Sequence, residues 1–386
     1  MRLGKTYEIK VYDRAGTSYV GVLGDVSNYS FSKTINGGLG ELVLELPRTF
    51  DDFGEDEDIT FNNEVQMWVA DDDAPSGTQI YSGYISAYEP RISGGEEGVT
   101  VRVLGYVTRF GYTVYRDGTD VSISHSTEDP EEIVQDIIDV YRATVADERI
   151  NYSGTSTATV GTDVDLDFNT AYVLEAIEQA RDAAGGDYWW YVDAGNVFYF
   201  KDKPTSATHS FVFGKDVVAL RTIKSVDDVF NELFLWNGLQ SEDANYYAKM
   251  YYNATSRTAY WHRDERQSNH NAVYSATGDE IGDAFIDAFK DPNTGIEFVV
   301  KDNNFGQGYD IESIEPGDTC QILNIDSNNV FSTNMHITQV DYTPDAVTVR
   351  VDDKRALTAR RLTDLNRNLE RHVQADGAPT YTAAAT

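Results

Sequence analysis

The chain has 386 residues, 31 Lys plus Arg against 64 Asp plus Glu, one cysteine, 41% hydrophobic residues and 12% aromatics. It is too apolar for a disordered chain and long enough for about two to four domains. A formal charge of −33 excludes use of the whole surface to grip nucleic acid, because each phosphate contact needs Lys or Arg, and a single thiol excludes an internal disulfide framework or a zinc site built on several cysteines.

The N-terminal residues Met1 to Lys10 hold no apolar stretch of signal-peptide length, and no later run approaches the roughly 20 apolar residues of a membrane span. From Thr6 to about Tyr115 the period is two. Tyr7, Ile9 and Val11, then Leu42, Leu44 and Leu46, then Val65, Met67 and Val69, and then Val99, Val101 and Val103 alternate with mostly polar residues. Turn signals at Asn36-Gly-Gly38, Pro75-Ser-Gly77 and Ser93-Gly-Gly95 lie between them, a spacing that predicts antiparallel β structure over 1–119.

The pattern changes after Asp117-Gly118. Asp129 suits an N-cap, Pro130 the first helical position, and Glu131 and Glu132 the positive end of a helix whose Val134, Ile137, Ile138 and Tyr141 share a face. A second helix is predicted from about Ala171 to Ala184, closed by Gly185-Gly186 in a left-handed cap. A hairpin of Tyr188 to Val192 and Val197 to Phe200 follows around Asp193-Ala-Gly-Asn196, so 120–205 reads as an α+β module.

Period two returns at Phe211 to Phe213, Val217 to Ile223 and Leu233 to Trp236, predicting a second β domain over 206–240 and 301–353. Residues 241–300 read as an insertion with a Tyr-rich patch (Tyr246, Tyr247, Tyr251, Tyr252, Tyr260, Trp261) and a short helix bearing Ile281, Phe285 and Phe289. Strand signals resume at Asp318 to Ile325, where Cys320 reads as a small buried hydrophobe, and at His336 to Tyr342 and Val347 to Val351. The segment 354–386 reads as a basic helix and an Ala/Thr tail.

The order of these modules resembles the hub proteins of tailed-virus baseplates and tail tips, the gene-27-like family of long-tailed phages. Asp58 to Val69 followed by Gln79 to Ile85 is similar to that family's "value" strand and "G-x-I" strand, and Gly98 to Gly105 to the strand closing its first domain. Leu174 to Phe200 resembles its helix plus hairpin, Asn231 to Gly238 the strand opening its second barrel, and Ile311 to Asp318 the "pGD" turn of tail proteins. In that turn Pro316 presets the first corner, Gly317 takes the positive φ of the second, and Asp318 starts the outgoing strand. The fold class implied is mainly β with an α+β module: two small antiparallel β-barrel-like tube domains, an inserted α+β module and a C-terminal helix.

The function the resemblance implies is structural. It is that of a homotrimeric hub of a viral tail tip or baseplate, whose two β domains per chain make a pseudo-sixfold ring adapting a sixfold tail tube to a threefold tip around the DNA exit channel. The partners implied are further copies of the chain, the tail tube or distal tail protein, a tape-measure protein and a separate spike or fibre protein, with DNA only in passage. The place is the virion tail, assembled in the host cytoplasm. Two other readings stand beside it: a carbohydrate-binding or glycan-cleaving β protein using Trp189, Trp190, Trp261 and the tyrosines, and a sixfold distal tail protein.

Charge patterning adds to this. With 41 Asp and 23 Glu against 20 Arg and only 11 Lys, the surface suits a protein working in concentrated salt, which screens self-repulsion. It equally suits an acidic wall that keeps DNA from sticking. The acidic runs at 51–58 and 71–73 lack a calcium-loop grammar, and Asp163-Val-Asp-Leu-Asp167 supplies alternation without the required Gly and Glu. No metal or cofactor site is assigned. The six histidines (125, 209, 262, 270, 336, 372) form no catalytic or metal motif, and no catalytic residue is assigned. The Asn28, Asn151 and Asn253 glycosylation triplets are of a kind frequent by chance.

The candidate interface is the basic C-terminal helix. Lys354, Arg355, Arg360, Arg361, Arg367 and Arg371 flank an apolar seam of Leu362, Leu365 and Leu369, suited to bidentate contacts with an acidic neighbour or to folding against its own body. If it docks on a neighbour, deleting residues 354–386 leaves a stable monomer that no longer assembles, read by light scattering; loss of folding assigns the helix to its own body.

Overall fold

A computed structural model describes residues 5–48, 59–70, 76–93, 96–145, 149–185, 188–227, 229–239, 241, 246–268, 275–302, 308–325 and 335–351. Seven strands come first: β1 (Thr6–Tyr12), β2 (Tyr19–Val22), β3 (Asn28–Thr34), β4 (Gly38–Leu46), β5 (Glu64–Ala70), β6 (Thr78–Ser93) and β7 (Glu96–Leu104). They pair antiparallel in the order β2-β1-β5-β6-β7-β4-β3. The alternating residues named above point to one side: Ile9, Val11, Leu42, Leu44, Val65, Met67, Val101 and Val103 are all buried in one cluster.

The α+β module comprises β8 (Ser122–Glu128), α1 (Pro130–Val145), β9 (Val164–Asn169), α2 (Val173–Ala184), β10 (Tyr188–Val192) and β11 (Phe198–Asp202). Asp129 caps α1 through Oδ1, which accepts from the Glu131 N–H at 2.9 Å, and its Oδ2 accepts from Gly161 N–H at 2.6 Å. Helix α2 starts at Val173, where the Glu175 carboxylate accepts the Tyr172 N–H. Gly185 follows it with φ 101° and ψ 173°. The expected left-handed cap is therefore corrected: the φ is positive but ψ is extended, because the chain turns straight out towards β10 instead of closing another helical turn. Trp190, Phe198 and Phe200 fill the space under α1 and α2.

Past Pro204 come β12 (His209–Val212) and β13 (Val217–Ser225), then an inserted unit of β14 (Glu232–Trp236), β15 (Ala248–Tyr252), α3 (Ala254–Tyr260), β16 (Asp264–Ser268) and α4 (Ser275–Phe289). The chain continues with β17 (Asn293–Lys301), β18 (Thr319–Leu323), β19 (Met335–Tyr342) and β20 (Ala346–Val351). The expectation that Leu233 to Trp236 belongs to the second β domain is corrected. Strand β14 pairs with β15 and β16 in a separate three-stranded sheet, because its inward Leu233 and Leu235 bury against Ile281, Phe285 and Phe289 of α4. The chain leaves the main sheet after Ser225 and re-enters it at Asn293, where β17 pairs with β13 and β20. Cys320 is buried on β18, as expected from its neighbours.

The two β regions form a single sheet. Strand β19 pairs with β3, Val340 opposite Lys33 and Tyr342 opposite Phe31, giving a 13-stranded sheet among the described residues. The hairpin β10–β11 sits over this seam. The Asn36 N–H donates to Trp190 O at 2.8 Å, and Trp190 N–H donates to Asn36 Oδ1 at 3.1 Å. On the other side lies the 315–318 turn, where Gly317 has φ 93° and a Cβ there would stand 2.1 Å from the Trp189 ring. The outgoing strand starts at Thr319, one residue later than expected, although the Asp318 carbonyl already accepts from the Ile337 N–H at 2.8 Å; the Asp318 side chain contacts His209 Nε2 at 3.0 Å.

The polar centre of the seam is Lys33, 1% exposed, whose ammonium is paired with Glu315 of that turn and lies 5.1 Å from the Tyr342 ring centroid. Tyr191 of β10 donates to the second Glu315 oxygen at 2.7 Å. First β region, hairpin and second β region thus meet on one carboxylate.

Gly317→Ala is expected to destabilise the protein by about 2 kcal/mol or more, since it combines a strained φ with an indole that cannot retreat. A denaturant titration followed by tryptophan emission measures this; an unchanged midpoint would mean that Trp189 does not pack where it is described.

Candidate assembly surfaces

The predicted interface residues Arg355, Arg360, Arg361, Leu362, Leu365, Arg367, Leu369 and Arg371, and the acidic runs at 51–58 and 71–73, lie outside the described residues. Asp163 to Asp167 falls at strand β9, with Val164 and Leu166 inward and Asp165 outward, where Asp165 accepts from Ser126 Oγ and Thr127 N–H. Two of the three tryptophans considered for sugar stacking are unavailable: Trp189 and Trp190 are 8% and 0% exposed. The third, Trp261, is 82% exposed.

The described histidines at 125, 209 and 336 are bound into the fold. His125 contacts Tyr115 Oη at 3.1 Å and Glu128 at 2.8 Å, and His209 contacts Tyr309 Oη at 2.9 Å as well as Asp318. His336 faces Gly317 O at 3.0 Å and the Trp189 ring. Burial, with the charge of Lys203 adding to it, lowers its pKa to about 4, against a partial offset from the Gly317 bond.

Two further ion clusters tie the termini of the sheet regions to the body. Lys5 reaches Asp302, Asp310 and Glu312, and Tyr7 donates to Glu312. Burial raises the Glu312 pKa, against the pull of Lys5 and Tyr7. Burial would lower the Lys5 pKa, but its bonds to Glu312 and Asp310 outweigh that and raise it. Glu64, 1% exposed, is held by Arg149 and by Tyr106 Oη.

A constellation that no sequence motif announces lies at one end of the inserted sheet. Glu232, His262 and Asp264 each bring a donor atom within 4.8 Å of the others. They come from strand β14, the segment following α3, and strand β16, and only the parallel pairing that sets Glu232 opposite Asp264 joins them. The donor set is chemically capable of holding a divalent transition ion. Arg257 occupies the same ground: its guanidinium lies 3.1 Å from Glu232 Oε2 and 3.2 Å from His262 Nδ1, so the site already contains its counter-charge.

The face of the inserted sheet opposite α4 carries, row by row, Tyr252–Glu232–Asp264, Met250–Phe234–Arg266 and Ala248–Trp236–Ser268. Arg266 lies over Trp236 at 4.4 Å and Arg257 over Tyr252 at 5.6 Å. Trp261 stands beside it with φ 64°, its carbonyl accepting from Asn231 Nδ2 at 2.6 Å while Asn231 Oδ1 accepts from Arg263 N–H at 3.0 Å. Elsewhere, exposed apolar groups gather at the sheet margins. Among the described strands β2 pairs with β1 alone and carries exposed Tyr19, Val20 and Val22, and β13 pairs with β17 alone and carries exposed Val218.

No family model and no curated protein matches the chain. Solved structures do. The 43 kDa tail protein of prophage MuSo2 from Shewanella oneidensis matches over 89% of this chain and 97% of its own, with a TM-score of 0.57 and 13% identity. A tail protein from Neisseria meningitidis MC58 matches over 89% and 96% with a TM-score of 0.60 and 9% identity. A prophage tail protein from Listeria monocytogenes EGD-e matches over 89% and 94% with a TM-score of 0.57 and 10% identity. The fold is that of phage tail proteins.

His336 generates a pH dependence. Its folded pKa lies below the unfolded value of 6.5, so the unfolded chain binds the extra proton: stability is full above about pH 6.5 and falls as pH drops towards 4, by about 3 kcal/mol. His336→Gln, which keeps a donor towards Gly317 without titrating, should lose less stability over this window than the parent chain. Superimposable curves of unfolding midpoint against pH for the two proteins would remove His336 as the cause.

Proposed function

We propose that the chain is a non-enzymatic structural component of a viral tail tip or baseplate, assembled as a homotrimeric hub. The observation that carries this is the shared architecture over 94% to 97% of the length of three tail proteins, with no large part of those chains left unmatched. Two β regions, antiparallel except for the parallel pair β12–β18, fused through β3 and β19 supply two tube-like units per chain, and three copies supply six, the number needed to meet a sixfold tube from a threefold tip. The margins β2 and β13 are suited to face neighbours, since an unpaired strand edge templates pairing with another chain.

In this reading the tube or distal tail protein, a tape-measure protein and a separate spike or fibre are the partners, and the basic segment 354–371 is a contact element towards an acidic neighbour. The chain needs no cofactor, since an adaptor works by shape. Its place is the virion tail, after assembly in the host cytoplasm. The charge of −33 per copy gives a ring that repels DNA in transit, and the low lysine content suits a host rich in salt, which would screen the repulsion between copies.

Light scattering of the purified protein across salt concentration tests the assembly. The expected result is a particle of three times 43.1 kDa that forms in concentrated salt and dissociates as salt is removed. A particle of six copies would replace the hub with a sixfold distal tail component.

A further inference from the structure

We propose that the outer face of the inserted sheet, anchored by Trp261, is a contact between copies of this chain; the inference rests on the trimeric reading above. Trp261 is 82%, Tyr252 60% and Met250 42% exposed, and on the same face Arg257 lies over the Tyr252 ring and Arg266 over the Trp236 ring. Trp, Tyr, Met and Arg are the residues enriched where proteins meet, and Trp, Tyr and Arg carry most of the binding energy there. The opposite face of the same sheet is already filled by α4, so these groups are not needed for the core of the unit.

The presentation of Trp261 is the second observation. A bulky residue at φ 64° sits in a region that L side chains avoid, and such a conformer persists only where the surroundings over-determine it. Here Asn231, 0% exposed, does so by gripping the backbone at both Trp261 and Arg263. The indole is therefore held out into solvent by a built loop, which pre-organises it for a partner.

Charge selects the partner. The whole chain carries twice as many acids as bases, yet on this face Arg257 and Arg266 stand against Glu232 and Asp264. Two copies at −33 repel over most of their surfaces, and a balanced apolar patch is where they approach at least cost. The edge of Arg266 remains available for a carboxylate of the neighbour, whereas Arg257 is taken up by Glu232 and His262. Meeting itself across a twofold axis, the patch would set these arginines against their own copies. A head-to-tail contact with a different, acidic surface fits a closed ring instead.

Trp261→Gly tests this with two readouts of opposite sign. Glycine accepts the positive φ, so the unfolding midpoint should stay or rise, while the protein concentration needed for half-assembly, measured by light scattering in concentrated salt, should rise at least tenfold. Arg266→Ala should weaken assembly in the same direction by a smaller factor. A trimer that forms equally well in the parent and both variants overturns this contact and leaves the trimeric reading standing. A parent chain that is monomeric at every protein and salt concentration overturns both. A midpoint that falls along with assembly in Trp261→Gly would assign Trp261 to folding and overturn the proposal. So would unchanged assembly combined with quenching of the parent's emission by added oligosaccharide that Trp261→Gly abolishes, which would make the face a glycan platform.

Discussion

A charged amine with 1% exposure cannot stay in a protein interior without a carboxylate, since an uncompensated buried charge costs several kcal/mol. Lys33 is in that position, and Glu315 answers it. The pair lies at the strand where the first β region meets the second, and the same carboxylate takes the Tyr191 hydroxyl of the hairpin laid across the seam. Three parts of the chain therefore meet at one ion pair. Glu315 itself keeps 38% of its side chain exposed, so the pair is worth more as a register device than as a source of stability. A slip of β19 by one residue would flip its apolar face outward and move Lys33 away from its partner.

Around that centre, close approach replaces further polar contacts. Gly38 lies so near Val192 that a Cβ would meet its carbonyl oxygen at 2.7 Å, and Gly317 lies against Trp189. The hairpin is clamped between two turns that belong to different β regions, which makes the α+β module a brace across the junction and not an appendage. The inserted sheet is built on another plan: a small core of its own, and a polar and aromatic outer face on which Tyr252 and Met250 are exposed.

Most elements were legible because local pattern and tertiary role agree. The period-two runs of β4, β5 and β7 bury the expected residues, and Asp129-Pro130 begins a helix because cap chemistry is local. Strand β14 was misplaced for a physical reason: alternation in Glu232–Trp236 shows that a strand has one buried face, but not which layer covers it, and α4 lies some fifty residues away. The constellation of Glu232, His262 and Asp264 depends on a parallel pairing between strands with a third strand and a helix between them in sequence, so spacing offered no motif. The exposure of Trp261 was not fixed by its sequence either, since Trp189, Trp190 and Trp261 stand together as candidate stacking residues and only Trp261 is exposed. The basic C-terminal segment was legible as composition, and its partner is not a property of the segment itself.

The pairing of β3 with β19 joins Phe31 to Tyr342, a separation of roughly 300 residues. At about 5 to 20 residues per second of synthesis, β3 emerges from the ribosome some 15 to 60 s before the strand that completes it. Throughout that interval the growing polypeptide displays a bare strand margin, the kind of template on which nascent chains aggregate, and non-local closure of this sort is intrinsically slow. A lysine in the middle of that margin, turned towards the future interior, makes premature pairing with a stranger expensive until its own glutamate has been translated. The residue that fixes the register of the finished sheet thus also guards it while it is incomplete.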